Sequence, residues 1–93
     1  MRIVGDIPHP ELKITIFLHD SKYAVKFESG LYELTYKFRS GEDIDSIRAI
    51  KEIITDKFIS DVIAQLSKMH QQKQAAIKQW IQTNETETFD EII

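Results

Sequence analysis

Leu12-Lys13-Ile14-Thr15-Ile16-Phe17-Leu18 is followed by His19-Asp20-Ser21, then Lys22-Tyr23-Ala24-Val25-Lys26-Phe27-Glu28, Ser29-Gly30 and Leu31-Tyr32-Glu33-Leu34-Thr35-Tyr36-Lys37-Phe38. Apolar and polar residues alternate through all three runs, the period of strands with one covered face. The breaks between them are turn residues. A turn at Asp20-Ser21 sets Leu18 opposite Tyr23, Ile16 opposite Val25 and Ile14 opposite Phe27. A turn at Ser29-Gly30 sets Phe27 opposite Tyr32, Val25 opposite Leu34, Tyr23 opposite Tyr36 and Lys26 opposite Glu33. Both choices gather the large apolar side chains on one face, which a one-residue slip would undo. The run therefore predicts a three-stranded antiparallel meander, over residues 11–38.

Before it, Met1 to Pro10 holds Ile3, Val4 and Ile7, then the stiff Pro8-His9-Pro10. The reading is an extended arm over residues 1–10, with a short fourth strand as the alternative. After it, Ser40-Gly41-Glu42-Asp43 ends the sheet and the period changes to three and four. Ile44, Ile47, Ile50 and Ile54 fall on one stripe beside Ile53, and Asp43 or Asp45 is placed to cap this first helix. Thr55 reads as the cap of a second helix, whose apolar face is Phe58, Ile59, Val62, Ile63, Leu66 and Met69. Strands first and helices afterwards make an α+β domain over residues 1–82, its helices within 43–82 covering one face of the sheet. Residues 83–93 are acidic and end Phe89-Asp90-Glu91-Ile92-Ile93. They read as a disordered tail, and its apolar end could dock a protein partner.

His70-Gln71-Gln72-Lys73-Gln74 interrupts the second helix's apolar face and reads as a polar gap or turn; Ala76, Ile77, Trp80 and Ile81 then resume that face. Neither Gly nor Pro lies between Thr55 and Gln82, so nothing forces a stop. A helix of that span is about 42 Å long, whereas an eight-residue strand is about 27 Å. The surplus either kinks back onto the domain or meets a second chain. The second choice predicts a homodimer with an interface of Met69, Ala76, Ile77, Trp80 and Ile81.

The chain has 93 residues and no Cys, which excludes disulfides, thiolate metal sites and thiol catalysis. Domains of this size bury only about 60–65% of their unfolded surface, so sharing a core with a second copy is favourable. The net charge of −3 argues against nonspecific binding to nucleic acid. Residues 1–40 nonetheless hold six basic and five acidic groups. Lys13, Phe17, Lys22, Lys26 and Lys37 share the uncovered sheet face and could contact a single strand by charge and stacking. Glu28 and Glu33 on that face oppose this reading.

Catalytic chemistry is hard to assemble. His9, His19 and His70 stand in three different elements without ligand spacing. Ser21, Ser29 and Ser40 have turn positions to explain them, and Gly5, Gly30 and Gly41 are too isolated for a phosphate loop. No metal, cofactor or enzyme activity is expected. No apolar run approaches the roughly 18 residues of a membrane span. The first residues meet an acid and two prolines too soon for a signal peptide, so the expected address is cytoplasmic.

Gly5-Asp6-Ile7-Pro8-His9-Pro10-Glu11-Leu12-Lys13-Ile14-Thr15-Ile16-Phe17 resembles the start of small single-domain bacterial proteins of the Bacteroidetes type. The likeness continues through Tyr32–Phe38 to the Thr55 helix start, about the first 60 residues. That family has no assigned activity, so the resemblance implies a bacterial protein and no site. The meander-then-helix order is also similar to PUR-type single-strand binders, in which a four-stranded sheet precedes a helix. No motif accompanies that similarity, and it concerns fold alone.

Overall fold

The structure is a computed structural model. It describes residues 1–39, 44 and 46–84 in full, and the helical backbone as far as Ile92. The chain is α+β: a four-stranded antiparallel sheet in the order β1-β2-β3-β4, with both helices on one face. The strands are β1 Arg2–Ile7, β2 Lys13–His19, β3 Lys22–Ser29 and β4 Tyr32–Phe38; the helices are α1 Ile47–Ile53 and α2 Asp56–Ile92.

The first hairpin has the expected register, with Ile14 opposite Phe27, Ile16 opposite Val25 and Leu18 opposite Tyr23. Asp20 and Ser21 both take positive φ, 48° and 64°. This is the demand of a two-residue turn whose twist matches the strands. The second hairpin turns one residue later than the sequence suggests. Gly30 and Leu31 are the turn residues, Ser29 pairs with Tyr32, Phe27 with Leu34, Val25 with Tyr36 and Tyr23 with Phe38. Gly30 supplies a positive φ of 58° at the first turn position, where that turn type requires glycine. Leu31 is left 84% exposed. Each partner moves by two places, so every side chain keeps its face while its neighbours change.

Residues 2–7 form an edge strand, the short fourth strand that the sequence reading holds as the alternative to an arm. Ile3 pairs with Phe17 and Gly5 with Ile16, which leaves Val4 as an extra residue in a bulge. The bulge sets two consecutive apolar residues on different work: Ile3 stays exposed while Val4 packs on the core. This broken alternation hid the strand.

α1 is capped by Ser46, whose Oγ accepts from the Ala49 amide at 3.1 Å. The capping expected of Asp43 or Asp45 falls on residues outside the described ones. α1 lies over β1, α2 over β4. Ile44, Ile50 and Ile54 from the first stripe and Ile59, Val62 and Leu66 from the second close over Ile14, Ile16, Val25 and Phe27. Thr55 caps α2 as expected, its Oγ1 accepting from the Phe58 amide at 3.2 Å. Phe58 stacks on Phe27 with centroids 5.8 Å apart and meets Tyr36 edge-on at 5.1 Å. Such ring pairs add about 0.5–1.5 kcal/mol beyond the area they bury.

α2 neither kinks nor turns at Gln71–Gln74. It is one helix of 37 residues, and its backbone also continues through 83–92, where the sequence reading places an unstructured tail. No Gly or Pro occurs to end it. The molecule measures 65 × 27 × 20 Å as a result.

Two stability outcomes are expected in urea titrations. Phe27→Ala, which opens a cavity at a fully buried site, should cost about 3–5 kcal/mol. Ser21→Gly should instead raise stability by about 0.5–1 kcal/mol, because glycine adopts the positive φ without a Cβ clash.

Candidate functional site

The helix decides the site through its period. Ala76, Ile77, Trp80 and Ile81 each stand 18 residues after Phe58, Ile59, Val62 and Ile63. Eighteen residues are five turns of an α-helix. The second set therefore continues the very face with which the first set covers the sheet. The sheet, however, has ended. Ile59 and Val62 are buried, while Ile77 is 40%, Ile81 43% and Trp80 65% exposed. Ala76 is exposed as well. Met69, the fifth residue of the expected interface, is half-buried against the core and marks the boundary.

What fixes that boundary is Tyr32, the first residue of β4. Its hydroxyl is 2.9 Å from His70 Nδ1, with the two rings edge to face at 5.6 Å. Lys73 Nζ stands over the same ring at 5.4 Å from its centroid. Further back, Gln65 Nε2 donates to the Tyr36 hydroxyl at 3.3 Å. The polar interruption seen in the sequence is thus a seam: His70 and Lys73 serve Tyr32 at the end of the sheet, and Gln71, Gln72 and Gln74 face solvent within the helix. Sequence reasoning missed this clamp. Its only signal was a basic pair breaking an apolar stripe one strand length after Thr55.

Beneath the seam lies a cleft of about 410 Å³ between the sheet end and α2. Leu12, Leu31, Ile63 and Leu66 give it apolar walls, and Tyr32 and His70 its polar rim. Exposed Leu31, the cleft, and the Ile77–Trp80–Ile81 face all lie toward one end of the molecule.

The opposite face of the sheet carries the other candidate set. Lys13, Lys22 and Lys37 are exposed. Phe17 is half-buried in a cross-strand row with Ile3, Ala24 and Lys37. The corrected register changes the centre of this face. Glu28 and Glu33 stand directly opposite one another, and Lys26 faces Thr35. Lys26 Nζ reaches diagonally to Glu33 Oε2 at 3.2 Å and along its own strand to Glu28 Oε1 at 3.6 Å. The Glu33 hydrogen bond, followed by the Glu28 charge, raises the lysine's pKa above its ordinary value. Thr15, a buried polar residue, stands directly opposite it on β2.

Each histidine has a local partner. His9 Nδ1 accepts from the Glu11 amide at 3.1 Å, His19 lies 3.3 Å from Asp20, and His70 is at Tyr32. Among the described residues no group of three His, Cys, Asp or Glu could hold a metal ion. No helix there is long and apolar enough to cross a membrane. The side chains of Phe89, Asp90, Glu91, Ile92 and Ile93, the expected docking end, lie outside the described residues. No protein-family model, curated protein or solved structure matches the chain.

The lysine geometry has a pH consequence. A pKa raised by folding means the charged form is favoured in the native state. Lys26 thus supports the fold at neutral pH, and that support is lost as pH rises through its folded pKa. Lys26→Met should flatten the fall of melting temperature above about pH 10.

Proposed function

We propose that this protein is a non-enzymatic interaction module that associates with a second copy of itself through the end of α2 beyond the sheet. The observation that carries the reading is Trp80, 65% exposed between Ile77 and Ile81 on a face that repeats the core face five turns earlier. A tryptophan flanked by aliphatics is the usual anchor of a protein interface. The chain's own sheet ends at Tyr32 and offers those residues nothing to cover them.

Single-strand binding by Lys13, Phe17, Lys22, Lys26 and Lys37 is the rival. The fourth strand brings the element order nearer to that of PUR-type binders. The face itself counts against it, since Lys26 is engaged by two carboxylates and Phe17 is half-covered. Titration of a labelled oligonucleotide at about 50 mM salt, where phosphate contacts are strong, should give no binding.

Light scattering at micromolar concentration should give the mass of a dimer. Trp80→Ala should weaken association by about 30-fold, the effect of removing an anchor worth about 2 kcal/mol. It should leave the far-ultraviolet circular dichroism unchanged. A monomeric wild type overturns the reading.

A further inference from the structure

The two outer edges of the sheet differ. β1 is interrupted by the bulge at Val4, a feature that blunts an edge against further pairing. β4 runs from Tyr32 to Phe38 without proline, and its pairing with β3 shows no shift of register. Ser29 and Tyr32 close the two-residue Gly30-Leu31 turn, which makes them a hydrogen-bonded pair. Alternation then gives the backbone groups of Tyr32, Leu34, Tyr36 and Phe38 to β3. The N–H and C=O groups of Glu33, Thr35 and Lys37 point off the free edge, and all three residues are exposed.

This edge is complementary to itself about Thr35. Glu33 and Lys37 stand at equal distances on either side, and so do Leu34 and Tyr36, and Tyr32 and Phe38. We infer that a second copy adds its own β4 to this edge, antiparallel, about a two-fold axis at Thr35, so that two sheets become one. Thr35 then pairs with its counterpart, and Glu33 of each copy pairs with Lys37 of the other. The contact goes beyond the α2 association proposed above and does not depend on it.

Charge supports this register. Glu28 and Glu33 stand opposite one another and share Lys26, so the group is short of one cation. Lys37 makes no ion pair among the described residues. The pairing brings Lys37 of each copy to Glu33 of the other. An axis at Glu33 or Lys37 sets like charges face to face, which is destabilising. Only an axis at Thr35 lets all seven residues of β4 take part. Burial agrees. Ile14, Ile16, Val25 and Phe27 of the inner strands are fully buried, whereas Leu34, Tyr36 and Phe38 on β4 are half-buried. A further strand covers their open side, with Leu34 of each copy opposite Tyr36 of the other.

The chain lacks cysteine, so mild oxidation of single-cysteine variants of the full chain reads the register. Thr35→Cys should give a disulfide-linked dimer, because Cα atoms in a hydrogen-bonded antiparallel pair are about 5.5 Å apart, within disulfide range. Glu33→Cys and Lys37→Cys each lie about 13 Å along the strand from their own counterparts. Neither should link alone, and the two should link to each other when mixed. Failure of Thr35→Cys to link, or of the mixture to link, overturns the inference. Equal linkage of all three variants alone means parallel pairing or random collision and overturns it too.

A single strand pair buries little surface, as weak contacts do, so it joins copies above the micromolar range in which the α2 contact is read. Light scattering of the wild type should show the mass rising with concentration beyond its micromolar value. Thr35→Pro removes only an N–H that faces off the edge, a position where proline is tolerated. It should keep the far-ultraviolet circular dichroism and abolish that rise. Lys37→Glu should weaken the association about two- to ten-fold, and adding Glu33→Lys should recover most of the loss. A wild type whose mass does not rise, or a Thr35→Pro variant whose mass still does, overturns the edge pairing and leaves the α2 dimer standing.

Discussion

A mismatch of lengths governs this molecule. Strands of seven and eight residues set the sheet at about 25 Å, and α2 has 37 residues. The helix can satisfy its apolar face only as far as the sheet reaches, which is the distance from the Thr55 cap to the Tyr32 clamp. Within that distance Phe58, Ile59, Val62 and Leu66 share a core with Phe27 and Val25. Beyond it the same face continues with Ile77, Trp80 and Ile81 and has no sheet beneath. Core and candidate interface are therefore one sequence pattern, divided by where the partner surface stops.

Much of this was legible because it depends on period. Alternation through residues 12–38 and the three-four spacing after Ile44 determine which face each residue occupies, and two-place changes of register leave faces intact. The first turn was readable because Asp20-Ser21 are turn-forming residues at the break between two alternating runs. The second was not, because Leu31 is an apolar residue doing a turn residue's job next to Gly30. β1 was obscured by its bulge at Val4, which interrupts the alternation that identifies a strand. The clamp of Tyr32 by His70 and Lys73 joins residues 38 apart or more, and no local pattern encodes such a meeting. The overhang was legible as a length; its straightness was not, since a polar run can equally well be a solvent-facing turn or a seam.

The outer sheet face shows how a register change alters chemistry without altering fold. With Lys26 directly opposite Glu33, the face would read as simple cross-strand pairs. With Glu28 and Glu33 opposite each other, two like charges meet and one lysine must serve both. That lysine also stands directly opposite the buried Thr15. A residue so occupied is a structural cation, and the local potential of the face is set by what remains at its margins, Lys13, Lys22 and Lys37.

The clamp at Tyr32 is also a fulcrum. Nineteen helical residues follow Lys73, an arm of about 28 Å. A tilt of about 10° at the tyrosine would swing the far end by about 5 Å, on the helix dimensions alone. The contacts of His70 and Lys73 with Tyr32 thus act over a distance far larger than their own, and the precision with which the free end can be presented depends on how firmly one aromatic ring is held.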